Sequence, residues 1–437
     1  MLNYLNACGC ACGKQHHTDV DEVLIDSGVI RKLGSVAKRF GAKKVFLLAD
    51  ENTFAAAGER VCESLTSENI PYSSYVFSDP HLEPDEKSVG AAVMHFDTNC
   101  DVIVGIGSGV INDIGKILSS ISGKKYIIVA TAPSMDGYAS ATSSMSRDGL
   151  KVSLNSRCAD VIIGDTDILK NAPEQLLKSG LGDMLAKYVS IAEWRIAHII
   201  TGEYYCEAVA QLIRSALKKC VDNAAGLLER NEEAVEAVVE GLVIGGVAMA
   251  YAGVSRPASG VEHYFSHIWD MRGLEFGTPV DLHGTQCAMA TLQAIRLYEK
   301  LVTYVPDAET ANAYVEAFSY DDWKAQLRFF LGSSAETMIV QEEREKKYDK
   351  TTHKARFAKI AQNWDTILQI IREELPSSEE LGVLLDTVGI SRDLNTIGVD
   401  SDIAKMTFKA TKDIRDKYVL SRLAWDLGVL DKLCELL

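Results

Sequence analysis

The chain has no surplus of positive charge. It carries 45 basic and 61 acidic side chains, for a formal net charge of −16. That argues against a surface for nucleic acid or anionic membranes, both of which select basic patches. A small anionic substrate survives this exclusion, because a few placed cations suffice. Membrane-length apolar runs are also missing. The most apolar window, Val239–Val254, is short, holds several glycines and ends near Arg256, so a buried helix is expected there. The opening MLNYLNACGCACGKQHH lacks the apolar core of a secretory signal. Seven of the ten cysteines stand singly and no C-x-x-C pair occurs, so reduced thiols in a cytoplasm are expected. Internal repeats and low-complexity tracts are absent as well.

What is present fits a packed protein of two domains. The chain has 437 residues, 47% apolar and 24% charged, and single cores stop growing well below that length. Up to about residue 165, short apolar runs alternate with helix-like stretches. The runs are Val23–Ile25, Val45–Ala49, Tyr75–Phe77, Val102–Ile106, Tyr126–Ala130 and Val161–Ile163. Helical patterns lie near Val29–Arg39, Thr53–Ser67, Asp85–Phe96 and Val110–Ser119. This alternation predicts βαβ units and a mostly parallel, Rossmann-like sheet. Between Thr142 and Leu154, Asp148-Gly149 signals an inserted hairpin. From Pro173, a residue suited to a helix start, helical periodicity runs almost to the end. The expected division is a cysteine-rich tail over 1–20, an α/β nucleotide-binding domain over 21–170 and an all-helical domain over 171–437, with the junction near 166–172.

One stretch reads as a phosphate cradle. Asp101 to Ile106 runs as a buried strand through Gly107, Ser108 and Gly109 into a helix beginning Val110, Ile111, Asn112, Asp113. Glycine lets backbone N–H groups approach a diphosphate, and a helix N-terminus favours its charge. A tight strand-to-helix turn without a ligand has the same appearance. Asp50 ends the strand Val45–Ala49, where an acid can accept from ribose hydroxyls and repel the extra phosphate of NADP. The acid here precedes the glycine turn, the reverse of the usual dinucleotide order.

Of nine histidines, only His263 and His267 share an i, i+4 helical face, a spacing that lets two imidazoles address one ion and equally serves a hydrogen-bonded helix face. His283 follows the turn-like Thr278-Pro279, and Asp183 lies among glycines in Ser179-Gly-Leu-Gly-Asp. Glycines inside an apolar helix are costly and imply close approach of a ligand or another backbone. In the tail, Cys8, Cys10 and Cys12 with His16 and His17 are metal-capable, but their alternating spacing is unlike a common zinc site, and a tail without function is the other reading.

Together these residues resemble the sn-glycerol-1-phosphate dehydrogenase family, within the superfamily of iron-type alcohol dehydrogenases, glycerol dehydrogenases and dehydroquinate synthases. The likeness runs from about residue 20 to about 300. It is carried by Thr131-Ala-Pro-Ser-Met-Asp-Gly-Tyr-Ala-Ser140, Gly182-Asp183 with Lys187, Ser255-Arg-Pro-Ala-Ser-Gly-Val-Glu-His263 with His267, and His283-Gly. The resemblance implies that Asp183, His263 and His283 hold one divalent ion, zinc, nickel or iron. It implies substrate contacts at Asp136, Asp183 and His267. Cofactor contacts are implied at Gly107, Ser108, Gly109, Val110 and Ile111, at Thr131, Ala132, Pro133 and Ser134, and at Ser140, with Asp113 added from the same helix start and Asp50 at the ribose. The family's triple glycine reads Gly-Ser-Gly here, so Ser108 keeps a backbone donor and adds a hydroxyl.

The implied chemistry is reduction of dihydroxyacetone phosphate to sn-glycerol 1-phosphate by NADH, with NADPH as the other cofactor. The ion polarises the ketone and the nicotinamide supplies hydride. His267 is a candidate proton source, and Arg256 and Lys187 are candidate phosphate partners. The family also implies a homodimer or larger assembly. A dehydroquinate-synthase-type lyase and a glycerol dehydrogenase share these sites, and a nucleotide-binding sensor with a cysteine switch is the remaining reading.

Overall fold

A computed structural model describes residues 9–147 and 150–437. The Asp148-Gly149 turn and Cys8 lie outside them. The chain divides into two units, the first running to Met184 and including Ala208–Val254, the second comprising Leu185–Glu207 and Ser255–Leu437.

In the first unit each expected apolar run is a strand. β1 (Glu22–Asp26), β2 (Val45–Asp50), β3 (Tyr72–Phe77), β4 (Val102–Gly107), β5 (Lys125–Ala130) and β8 (Val161–Asp165) form one sheet. Its order is β1-β8-β5-β4-β2-β3, and every pairing is parallel. β6 (Thr142–Arg147) and β7 (Leu150–Asn155) form the antiparallel hairpin. Side chains on a strand alternate between faces, and here both faces are buried, as a parallel sheet requires. Val45, Leu47, Ala49, Val102, Val104, Ile106, Ile127, Val129, Val161 and Ile163 share one core with Val36, Val61 and Leu65 from the flanking helices. Phe46, Leu48, Ile103, Tyr126 and Ile128 are fully buried on the other.

The boundary differs from the expected one. The helix Glu232–Ala252, long and apolar enough by composition to cross a membrane, has 72% of its apolar window buried and belongs with the sheet. The reason lies in two of its glycines. A Cβ on Gly246 would stand 2.9 Å from both Ala139 Cβ and the Asp136 carbonyl, and one on Gly245 would stand 3.2 Å from Asp136 Cβ. Only glycine admits the turn Asp136–Ala139 at that distance. Such a contact joins residues a hundred positions apart and leaves no periodic trace.

The second unit is helical throughout its described residues. Lys187–Thr201, Val261–Phe276 and His283–Leu301 are its long helices nearest the histidines, and further helices continue to Leu430–Cys434.

Candidate active site

The glycine turn forms at the carboxyl end of β4, where ligands of parallel sheets collect. A Cβ on Gly107 would meet Ile111 Cβ at 2.5 Å, so the turn closes only without a side chain. The first bond of the following helix, Gly109–Ser122, is Asn112 N–H to the Ser108 carbonyl at 2.9 Å. The N–H groups of Gly109, Val110 and Ile111 precede that bond and face off the helix start, the usual place for a phosphate. Ser108 makes no side-chain cap. Its hydroxyl bonds Ser134 Oγ instead, and the Tyr138 hydroxyl lies 3.3 Å from Ser108 Oγ while donating to the Ala132 carbonyl at 2.6 Å. The hydroxyl absent from a triple glycine therefore stitches the turn to the Thr131–Ser134 segment, and Thr131 N–H donates to the Gly107 carbonyl at 3.1 Å.

Three cofactor candidates acquire local roles. Asp50 caps the helix Glu51–Ser67, with Oδ1 accepting from Thr53 N–H at 2.9 Å; the capping box engages Oδ1 alone. Because β2 pairs directly with β4, with Ala49 opposite Ile106, Asp50 is level with Gly107. The reversed order in sequence is thus undone by the sheet. The Ser140 hydroxyl sits 2.9 Å from Thr142 Oγ1. The Asp113 carboxylate pairs with the buried Lys116 at 2.8 Å.

Of the glycines near Asp183, Gly180 is explained by backbone. A Cβ on Gly180 would lie 1.8 Å from the Pro133 carbonyl oxygen, and Ser179 Oγ donates to the Ser134 carbonyl at 2.9 Å. The helix Glu174–Leu185 is thereby clamped onto the Thr131–Ser134 segment. Asp183, fully buried, accepts the backbone N–H of Asp136 through Oδ2 at 2.9 Å.

In the second unit the histidines converge. His263 and His267 lie on one face of Val261–Phe276, and His283 opens the next helix, with ring centroids 5.1 to 6.4 Å apart. His263 Nδ1 donates to Glu262 Oε1 at 2.9 Å, and His283 Nδ1 is 3.0 Å from Ser266 Oγ. Each ring is thus oriented through Nδ1, the arrangement in which outer partners hold metal-binding histidines. Cys287 Sγ is 3.7 Å from His283 Nε2, and donor atoms of His263, His283 and Cys287 lie within 4.8 Å of one another. Two imidazoles and a thiol suit zinc or nickel, so this donor set fits the implied ion. Burial pushes the Cys287 thiol up, but the flanking imidazoles outweigh it and the net shift is downward. Behind His263, Glu193 accepts from Val261 and Leu420 N–H at 2.9 and 2.7 Å. Burial and the neighbouring Glu262 raise its carboxyl to about 8.

His267 is held well below the ordinary histidine range, first by burial and then by Arg415, the other two imidazoles and Lys417. It is a neutral ring, suited to hydrogen bonding more than to storing a proton. Arg256 is corrected: buried, it pairs with both oxygens of Glu203 and donates to the Tyr418 carbonyl at 3.0 Å. That makes it an internal cation rather than a phosphate partner. Lys187 is fully buried at a helix start.

Sequence reasoning missed Cys287, Glu262, Arg415 and Lys417. Cys287 stands four residues after His283, the same spacing that singled out His263 and His267. Glu262 immediately precedes His263. Arg415 and Lys417 occupy a stretch without a motif. Lys417 donates to the Ser259 carbonyl at 2.7 Å, and burial, with Arg256 and Arg415 nearby, lowers its ammonium to about 7.

A family model described as iron-containing alcohol dehydrogenase matches residues 24–173. A glycerol-1-phosphate dehydrogenase (NAD(P)+) of Halalkalibacterium halodurans is 33% identical over 297 residues, 67% of this chain and 74% of that protein. One from Geobacillus stearothermophilus is 26% identical over 410 residues, 93% and 92% of the two chains. Among solved structures, the glycerol dehydrogenase of Schizosaccharomyces pombe superposes with a TM-score of 0.61 at 16% identity, covering 95% of this chain and 90% of that one. At that identity the likeness concerns the fold alone.

Proposed function

This chain belongs to the glycerol-1-phosphate dehydrogenase family, and from that premise we propose that it reduces dihydroxyacetone phosphate to sn-glycerol 1-phosphate with NADH or NADPH. The observation that carries the reading is the pair His263 and His283, each oriented through Nδ1, with Nε2 turned to a shared point beside Cys287. These residues would hold one divalent ion, with Asp183 as the carboxylate ligand that the family likeness implies. When bound, the ion supplies Lewis-acid polarisation of the ketone and the nicotinamide supplies hydride.

The chain's own groups do the rest. The N–H groups of Gly109, Val110 and Ile111 cradle the cofactor diphosphate, and Asp50 accepts from its ribose and disfavours NADPH. The neutral His267 ring hydrogen-bonds the substrate oxygen. Arg415 and Lys417, whose charges act on His267, offset the substrate phosphate. A homodimer in the cytoplasm is the setting the family likeness implies.

The test is one assay. The metal is stripped with a chelator, nickel, zinc or iron is restored separately, and NADH oxidation is followed with dihydroxyacetone phosphate. Turnover with at least one metal, and far less with unphosphorylated dihydroxyacetone, is expected. A folded protein that turns over with none of them overturns the proposal. A lyase of the dehydroquinate-synthase type would regenerate its cofactor and show no net NADH loss.

A further inference from the structure

A second group of ligand atoms lies in the first unit and takes no part in the proposed reaction. Near the start of the described chain, Gly13 N–H donates to the Cys10 carbonyl at 2.9 Å, with Gly13 at φ +79°. This left-handed position suits glycine, and it curls Cys10, Cys12 and His16 around one point. Donor atoms of all three lie within 4.8 Å of one another, and Cys12 Sγ is 3.4 Å from His16 Nε2.

His16 is prepared in the manner of a ligand. It is buried at 4% exposure, and its Nδ1 bonds the Tyr251 carbonyl at 2.9 Å while its ring packs against the Tyr251 ring. A carbonyl accepts only from N–H, so the proton sits on Nδ1 and the Nε2 lone pair faces the sulfur. This is the outer-shell arrangement that fixes the tautomer of metal-bound histidines. The separation agrees as well. With zinc–sulfur and zinc–nitrogen bonds of about 2.3 and 2.1 Å, tetrahedral angles set sulfur and nitrogen about 3.5 Å apart. A buried imidazole 3.4 Å from a thiol, with a second thiol beside it, needs only a small contraction to enclose an ion.

We infer that Cys10, Cys12 and His16 bind a metal ion of the thiolate-preferring class, zinc above all, sharing no ligand with the His263/His283 centre. The ion takes a fourth donor from outside this trio. Its role is structural: it ties the cysteine-rich start, through His16, to the helix carrying Tyr251. Binding displaces the two thiol protons to solvent, and no oxidant is required.

The test uses the full chain, kept reduced and reconstituted with zinc alone, with bound zinc counted per chain after free metal is removed. Wild type should hold about two equivalents, and the Cys10→Ser/Cys12→Ser variant about one. The His283→Ala variant should keep the equivalent that the cysteine variant loses. Limited proteolysis gives a second readout. Chelation should expose the segment before Val20 to cleavage in wild type, whereas in the cysteine variant it should be cleaved with or without chelator. If that variant fails to fold, His16→Gln serves in the same two measurements. Equal zinc content in wild type and either variant overturns the inference, as does protection of the segment that is indifferent to chelator.

Discussion

Two polar clusters in the second unit differ in composition and in how their polar groups are directed. Around Asp413, four donors converge on one carboxylate. Oδ2 receives Lys412 Nζ at 2.8 Å, Trp323 Nε1 at 2.8 Å and Tyr348 Oη at 2.7 Å, and Oδ1 receives Arg422 Nη2 at 2.9 Å. Nearby, Asp426 is held by Arg356 and by the Tyr418 hydroxyl at 2.8 Å. Around His263 and His283, by contrast, one nitrogen of each ring is engaged outward and the other is turned inward beside Cys287. Burial and charge do not separate architecture from chemistry here. The direction of the ligand atoms does, because donors and acceptors satisfied by one another offer little to an incoming ion, whereas two imidazoles and a thiol aimed at one point offer it a donor set.

The largest expected effect breaks the open cluster. His283→Ala should lower kcat/KM by about 10^4-fold, ~5 kcal/mol of transition-state stabilisation. Bound metal should fall in parallel while NADH binding, measured by fluorescence, persists. Full metal content in the variant would show that the inward-facing nitrogen is not a ligand.

The next effect breaks the closed one. Burial pushes the Asp413 carboxyl up, but Lys412 and Arg422 outweigh it and the net shift is downward. Asp413→Asn leaves both cations without their counter-charge, and removing one partner of a buried ion group costs about 3–5 kcal/mol. The midpoint of denaturant unfolding should drop accordingly, with metal content per folded molecule unchanged. The pH dependence has a definite sign. A depressed folded pKa gives stability that is present above the unfolded value, near 3.9, and is lost as pH falls through the folded one. In acid the difference between wild type and variant should therefore shrink. Loss of metal together with stability would mean that the two clusters are not separable.

Sequence showed these regions unequally, for physical reasons. Strand alternation is local, so all six sheet strands were legible, and Asp50 beside the glycine turn became intelligible once β2 proved to pair with β4. The histidine pair had a helical spacing, whereas His283 entered only through the family likeness. The glycines near Asp183 announced a close approach, but whether ligand or backbone made it depended on Pro133, some fifty residues away. Arg256 misled because its partner Glu203 is as distant in sequence. The first unit's return over Ala208–Val254 had no local mark, since it rests on two glycines meeting a turn. Arg415 and Lys417 carry no pattern, and their relevance arises from nearness to His267.

Those two cations sharpen the comparison, because the stretch 412–417 holds both kinds of group. Lys412 is closed off against Asp413 and the Lys409 carbonyl, whereas Lys417 has a carbonyl, that of Ser259, as its hydrogen-bond acceptor. With its ammonium lowered to about 7, Lys417 loses charge as pH rises through neutrality. Above that point kcat/KM for the phosphorylated ketone should fall, while the value for dihydroxyacetone should not follow the same limb. A charge-assisted hydrogen bond is worth about 1.5–3 kcal/mol, so Lys417→Met should raise KM for the phosphorylated ketone about 10- to 100-fold and remove that limb. The substrate's own second phosphate ionisation, near 6, lies a unit lower and persists in the variant. An alkaline limb unchanged in Lys417→Met would assign it to another group and return Lys417 to the closed network beside it.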